Sequence, residues 1–203
     1  MKLPKILHLL AAFTLIGLTG FGPDAARADA PQDTVKQLLG SIQQMHHKKP
    51  LTAEQKQSNE TISQQALGHL DVPLVSQKTL GSHWKQRSSE EQAGFVELLG
   101  DLFRYVAFPN SSKFFGEMKL TYAETRTEGG TATVPITVMH PEEGAVRIDF
   151  VLEQNSKRWR VVDVILDGVS MRNNLRTQFS KVLKKHDYPE LTRRMQKKLD
   201  SAK

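Results

Sequence analysis

Residues 159–183, WRVVDVILDGVSMRNNLRTQFSKVL, decide how the rest of the chain is arranged. The first part, 159–166, is rich in β-branched residues and apolar on both alternating faces, which predicts a central strand covered on both sides. Strict alternation gives two sets of side chains, with Trp159, Val161 and Ile165 on one face and Val162, Val164 and Leu166 on the other. After the break at Asp167 and Gly168, Ser170 can cap an amphipathic helix by accepting a hydrogen bond from a free backbone N–H. A buried strand that turns into a covering helix is therefore the predicted centre of the fold.

The first 28 residues have the layout of a secretory signal peptide. Lys2 and Lys5 precede an apolar segment, and Ala26-Arg27-Ala28 places small residues where a cleavage site needs them. The apolar segment is short for a spanning helix, and a retained N-terminal anchor is the alternative. The absence of cysteine excludes disulfides and lipid attachment at a thiol. We predict a signal peptide at 1–28, cleavage after about Ala28, and a single domain at 29–203 in the bacterial periplasm.

The charge of the chain narrows the class of partner. The signal segment holds three positive residues and one negative, so the mature chain keeps +4 of the formal net charge of +6. Export argues against nucleic acid, whereas a mild positive charge suits an anionic membrane surface or an acidic protein. The last helix carries four cations, which form either a solvated face or a docking surface: Arg193, Arg194, Lys197 and Lys198.

Helices are predicted wherever apolar residues recur at helical spacing. The segments are 34–47, 52–70, 74–84, 88–108, 170–183 and 187–198. Thr52 with Gln55, and Ser88 with Glu91, have the spacing of capping boxes that open two of these helices. The helix that begins after Ser88 has the broadest apolar face, and we expect Pro109 and the polar residues after it to end that helix.

Four strands are predicted between the helices, at 119–126, 131–139, 145–152 and 159–166. The turn sequences that separate them are short, which favours an antiparallel meander because parallel neighbours need long crossover connections. Pro135 lies inside the second strand and cannot donate a ladder hydrogen bond, so it predicts a bulge, an edge or a strong bend.

Catalytic signatures are missing from the sequence. It has no nucleophile elbow, no HExxH motif, no Gly-rich phosphate loop and no cysteine. His46 and His47 are adjacent and lack the cysteine or acidic neighbours of a zinc site. Asp163, inside the apolar central strand, could act as a base in a cavity. We favour the alternative, in which it accepts hydrogen bonds at the turn from strand to helix.

Several motifs resemble those of the MlaC family, also called the toluene-tolerance family. The most specific are WRVVDV at 159–164, DGVSM at 167–171 and RTQF at 176–179. Weaker ones are LGSHW at 80–84, VPI at 134–136 and VRIDF at 146–150. Members of this family are soluble periplasmic lipid carriers that serve an ABC transporter containing a mammalian-cell-entry (MCE) domain protein.

The resemblance implies an α+β fold, in which a curved four-stranded antiparallel sheet is wrapped by about six to seven helices around an internal apolar cavity. It implies that the chain binds phospholipid acyl chains there and shuttles them, as a monomer, between an inner-membrane ABC transporter complex with its MCE-domain protein and an outer-membrane lipoprotein complex. This maintains outer-membrane lipid asymmetry. No cofactor, metal or catalytic residue is expected.

Joined to the apolar pattern, the resemblance gives a predicted lipid-binding wall. Its residues are Phe95, Leu99, Leu102, Phe103, Val134, Ile136, Val138, Ile148, Phe150, Trp159, Val161, Met171, Leu175 and Phe179. Three alternatives stay open: a hopanoid-related lipid binder, a small exported enzyme with an NTF2-like cone and Asp163 as base, and an adaptor that docks membrane complexes through its basic C-terminal helices without a ligand.

Overall fold

The computed structural model describes residues 30–48, 50–116, 118–140 and 144–203. The predicted signal peptide therefore lies outside the described residues. Within them, no helix is both long enough and apolar enough to cross a membrane.

Seven α-helices lie in the described part of the chain, and all but α5 lie largely within the segments that the apolar spacing predicts. They are α1 (Pro31–Gln44), α2 (Ala53–Leu67), α3 (Val72–Leu80), α4 (Ser89–Leu102), α5 (Phe108–Phe115), α6 (Met171–Leu183) and α7 (Tyr188–Asp200). A 3-10 helix, Gly81–Gln86, follows α3. Both capping boxes are confirmed: the Thr52 hydroxyl accepts from the Gln55 N–H, the Ser88 hydroxyl accepts from the Glu91 N–H, and each partner side chain accepts in return.

The predicted end of the fourth helical segment is wrong. A π-helical segment, Phe103–Ala107, follows α4 and leads directly into α5, so the chain stays helical past Pro109. The Phe108 N–H donates to the Phe103 carbonyl, one residue further back than in an α-helix. Pro109 thereby falls in the first turn of a new helix, where its missing N–H is not needed.

The sheet is antiparallel and has six strands in the described residues rather than four. They are β1 (Leu120–Tyr122), β2 (Arg126–Glu128), β3 (Thr131–His140), β4 (Gly144–Asn155), β5 (Arg158–Leu166) and β6 (Val169–Ser170). The order is β1-β3-β4-β5-β6, and β2 also pairs with β3. One predicted strand splits into β1 and β2, which pair with β3 on either side of Pro135, so the predicted irregularity lies there. The short strand β6 was not predicted, and its Ser170 was predicted only as the cap of the following helix.

A bulge in β5 overturns the predicted split of its side chains between two faces. Val151 pairs with Asp163 but Leu152 pairs with Val161, so Val162 is an extra residue. One extra residue reverses the alternation beyond it. Val164 therefore shares a face with Val161, and Asp163 and Ile165 lie on the opposite face.

The interior consists of two apolar clusters. The first, which we name the sheet cluster, joins one face of the sheet to α1, α2 and α5. The second, the helix cluster, lies among α3, α4, α6 and α7. Phe103, in the π-helical segment, packs against both clusters. The central strand has helices on both faces: Val161 packs with α1 in the sheet cluster, whereas the Arg172 N–H of α6 donates to Asp163 on the opposite face.

Candidate functional site

One face of the sheet is apolar across all its long strands. The register aligns Val134 with Phe150, Ile136 with Ile148, and Val138 with Val146. Through the bulge, the same face continues to Val161 and Val164 in β5. The helices that cover it supply apolar residues at helical spacing: Val35, Leu38, Leu39, Ile42, Ala66, Phe108 and Phe115. The result is an apolar interior bounded by a sheet on one side and three helices on the other.

The predicted wall residues separate into the two clusters. The sheet cluster contains, or packs against, Phe103, Val134, Ile136, Val138, Ile148, Phe150, Trp159 and Val161. The helix cluster contains, or packs against, Phe95, Leu99, Leu102, Phe103, Leu175 and Phe179. Phe95 and Phe179 meet edge to face there, with ring centroids 5.8 Å apart. Met171 is half-buried and belongs to neither cluster. That these residues bind lipid stays a prediction.

The sequence-based wall leaves out residues that the structure brings to the same face. Leu152 and Val146 complete the apolar row of β4, and α1 provides four buried apolar residues opposite the sheet. The helical spacing of α1 was visible in the sequence, but spacing alone does not say which strand a helix will cover. The sequence signal for Leu152 and Val146 is the continuous alternation in β4, which places them on the same face as Ile148 and Phe150.

The interior is closed at the centre of the sheet. Val134, Val138 and Leu152 expose 0% of their surface, so no space large enough for a water molecule adjoins them. Two open depressions lie elsewhere, on the outer surface, and both are lined mainly by polar residues. One lies beside α2 and the π-helical segment, and the other beside α6 and α7. The internal cavity therefore stays a prediction.

The Asp163 carboxylate is a buried hydrogen-bond acceptor at the turn from β5 to α6. Oδ1 accepts from the Val164 N–H at 2.8 Å and from the Arg172 N–H at 3.0 Å. Oδ2 accepts from the Ser170 hydroxyl at 2.6 Å, and the Arg172 guanidinium lies 3.7 Å away. Ser170 in turn caps α6 by accepting from the Asn173 N–H. These contacts confirm the hydrogen-bonding role that the sequence favoured, and they tie the WRVVDV motif to the DGVSM motif.

Two further motifs, LGSHW at 80–84 and RTQF at 176–179, contact each other. Gly81 has a positive φ of +57°, which favours glycine, and the Arg176 side chain of the RTQF motif lies against it. A Cβ at this position would come within 3.2 Å of the Arg176 Nε. The LGSHW and RTQF motifs therefore form one packed joint between α3 and α6.

A polar cluster ties α2 to the π-helical segment. The Tyr105 hydroxyl donates to both carboxylate oxygens of Glu60, at 2.8 and 3.0 Å, and the Arg104 guanidinium also donates to Glu60. Arg104 pairs in addition with Asp101 at 3.4 Å. Burial, followed by the hydrogen bond to Glu60, raises the pKa of Tyr105 above its usual value. We name this cluster the Glu60 latch, because it joins two helical elements on the outer side of the sheet cluster.

The residues that the structure describes contain no group of three or more His, Asp or Glu side chains placed to hold a metal ion. His47 contacts the Ser112 hydroxyl through Nδ1 at 3.2 Å.

Comparisons with known proteins agree with this architecture. The family model described as MlaC protein matches residues 32–197. A solved structure of a phospholipid-binding protein from Ralstonia solanacearum, in complex with a phospholipid, superimposes with a TM-score of 0.70 at 18% sequence identity. The alignment covers 86% of this chain and 99% of that one, and it shows that the two share a fold. No curated protein matches the sequence.

Proposed function

Since the chain belongs to the MlaC protein family, we propose that it is a periplasmic phospholipid carrier rather than an enzyme. It binds acyl chains between the apolar face of the sheet and the helices that cover it, with the head group near solvent. It carries them between an inner-membrane ABC transporter complex with an MCE-domain protein and an outer-membrane lipoprotein complex. Cleavage of the signal peptide releases it into the periplasm as a monomer.

The observation that carries this proposal is the continuous apolar face of β3, β4 and β5. Three adjacent strands present aliphatic and aromatic side chains to the same layer of helices. The structural neighbour that shares this fold holds a phospholipid. A hopanoid-related lipid, which is also apolar and elongated, would suit the same face.

The physics of lipid transfer explains why such a carrier is useful. Each buried methylene is worth about 0.8 kcal/mol, so a single 16-carbon chain costs roughly 12 kcal/mol to expose to water. Two chains make unaided crossing of an aqueous compartment very slow. A protein interior of similar apolarity makes exchange with a membrane nearly even in free energy, so a docking partner can decide loading or release. The carrier itself then needs no cofactor.

An adaptor without a ligand is the second candidate function, and one observation favours it. The side chains at the centre of the sheet are packed on all sides. The enzyme alternative has less support, because three hydrogen bonds and a guanidinium already occupy the oxygens of Asp163. A base would need a free lone pair aimed at a substrate.

Native mass spectrometry of the mature chain, purified without detergent from a periplasmic extract, tests the proposal. We expect an added mass that denaturing extraction resolves into phospholipid, and its size gives the number of acyl chains. A bare protein mass that persists after incubation with liposomes would refute the carrier and favour the adaptor.

Two neighbouring residues of β3 provide a matched pair of variants for locating the site. Val138 is fully buried on the apolar face, whereas Met139 points the other way and exposes 58% of its surface. Val138→Glu should abolish lipid co-purification, and Met139→Glu should leave it unchanged, with circular dichroism to establish that both fold. If Val138→Glu fails to fold, cross-linking of the wild type with a phospholipid that carries a diazirine in its acyl chain locates the site directly. Cross-links confined to surfaces outside the sheet cluster and the helix cluster would refute the proposed site.

A further inference from the structure

Charge is distributed very unevenly along the mature chain. Residues 171–203 hold ten Lys and Arg against three Asp and Glu, so they carry a net +7. Residues 29–170 hold 15 Lys and Arg against 18 Asp and Glu, a net −3. The net positive charge of the mature chain therefore lies in residues 171–203, which comprise α6, α7, the turn between them and the last three residues.

The structure concentrates this charge around a single depression. Lys181, Lys184 and Lys185, at the end of α6, line it together with Val182, His186 and Arg194. Arg194 comes from α7, so two helices direct cations to one place. Lys198 follows Arg194 by four residues and extends the row by one helical turn. We name the surface formed by Lys181, Lys184, Lys185, Arg194 and Lys198 the basic corner.

The three lysines of the basic corner form no ion pair with the described residues. Among the described residues, no carboxylate lies within 4.0 Å of the ammonium groups of Lys181, Lys184 or Lys185. Glu190 is the nearby acid in α7, and Arg193 and Arg194 hold it at 2.6 and 2.7 Å. A cation in the last turn of a helix does complement the helix dipole. That role accounts for the cations at the end of α6, but it does not explain why Arg194 of α7 lines the same depression.

We propose that the basic corner docks the protein on the surface of an anionic phospholipid bilayer. The opposite charge of lipid phosphates supplies the attraction, and each Lys or Arg near such a surface adds to it. Lysine is a flexible point charge that suits a fluid array of phosphates. Protein interfaces are instead depleted of lysine and built on aromatic or Arg anchors. Among the described residues that line the depression there is no Phe, Tyr or Trp, and Val182 is the one apolar side chain.

This docking goes beyond lipid carriage, because it requires no lipid in the interior. It adds a way to hold the carrier at a membrane while a membrane complex loads or unloads it. The interaction lies on the surface, so salt should weaken it, since the Debye length is about 8 Å at physiological ionic strength.

Co-sedimentation of the mature protein with sucrose-loaded vesicles tests the proposal. The vesicles contain phosphatidylcholine alone or phosphatidylcholine with phosphatidylglycerol, at low and at high salt. We expect binding to the anionic vesicles that high salt removes, and little binding to the neutral vesicles. Removal of one charge should weaken binding about fivefold, so the triple variant Lys181→Gln, Lys184→Gln, Lys185→Gln should lose on the order of a hundredfold.

A second triple variant controls for net charge. Lys48, Lys56 and Lys119 are exposed and lie outside α6 and α7, and their replacement by Gln removes the same three charges. This variant should bind within a few-fold of wild type. Equal loss in the two variants would overturn the proposal, because net charge would then explain the binding. A wild type that ignores anionic vesicles at low salt but binds polyglutamate would also overturn it, in favour of an acidic protein surface. Native mass spectrometry of the first variant should still show the bound lipid, so failure of docking and failure of carriage remain distinguishable.

Discussion

Asp163 offers the sharpest test of how the central strand and the covering helix are joined. Its carboxylate accepts from two backbone N–H groups and one hydroxyl and lies near the Arg172 guanidinium. Asp163→Ala removes every acceptor and leaves buried donors unsatisfied, which we expect to cost about 3–5 kcal/mol of unfolding free energy. Asp163→Asn keeps Oδ1 for both N–H groups and can still donate to the Ser170 hydroxyl. It loses the charge and the acceptor for the Ser170 O–H, for about 1–2 kcal/mol.

The assay is urea unfolding followed by circular dichroism, together with the midpoint of thermal unfolding. For a domain of this size, 1 kcal/mol corresponds to about 2–4 °C, so Asp163→Ala should lower the midpoint by roughly 10 °C and Asp163→Asn by about half that. Asp149, on the same face of the neighbouring strand, provides the control. Its one ion-pair partner among the described residues is Arg147, a well-exposed side chain, so Asp149→Asn should change stability by less than about 0.5 kcal/mol. If Asp163→Ala were no worse than Asp149→Asn, the proposed joint would be wrong.

The other predictions concern the packed joint at Gly81 and the surface of α7. Gly81→Ala should destabilise the protein by about 1–2 kcal/mol in urea unfolding, because alanine is strained at a φ of +57° and its Cβ meets Arg176; an unchanged midpoint would contradict this. Hydrogen bonds from Arg193 and then Arg194 lower the pKa of Glu190 from 4.5 to about 2. The stability that this carboxylate adds is present above pH 4.5 and lost as pH falls towards 2. Glu190→Gln should therefore be less stable than wild type at pH 7, and the difference should shrink as pH falls from 4.5 through 2; a difference that stays constant over this range would refute the assignment.

Features fixed by neighbouring residues in the chain could be predicted from the sequence. The two capping boxes depend on residues three positions apart, and both have the expected hydrogen bonds. The alternation in β4 placed Ile148 and Phe150 together in the sheet cluster, since a strand with one polar face reports its own orientation.

Features that depend on contacts between distant segments, such as the register between two strands, could not be predicted in the same way. The bulge at Val162 arises between two strands, and β5 is apolar on both faces, so shifting its alternation by one residue leaves no trace in the hydrophobic pattern. The split into β1 and β2 likewise depends on where Pro135 of β3 meets its partner. The π-helical segment is a third case, since Pro109 ends an α-helix by the usual rule but is accommodated once the preceding turn is widened.

The closed interior limits how a lipid could reach the apolar face. Val134 and Val138 have no exposed surface, so acyl chains can touch them only if the covering helices move away from the sheet.

The sheet is held by long antiparallel ladders, whereas the helical side carries the π-helical segment, a form often found at functional sites. Phe103 in that segment packs against both clusters, and the Glu60 latch holds its neighbours to α2. Charged hydrogen bonds of this kind contribute about 1.5–3 kcal/mol each. Exchange of an acyl chain between a membrane and an apolar interior is nearly even in free energy, so the apolar contacts that the bound chain makes must offset the loss of the latch and of the core contacts that open with it.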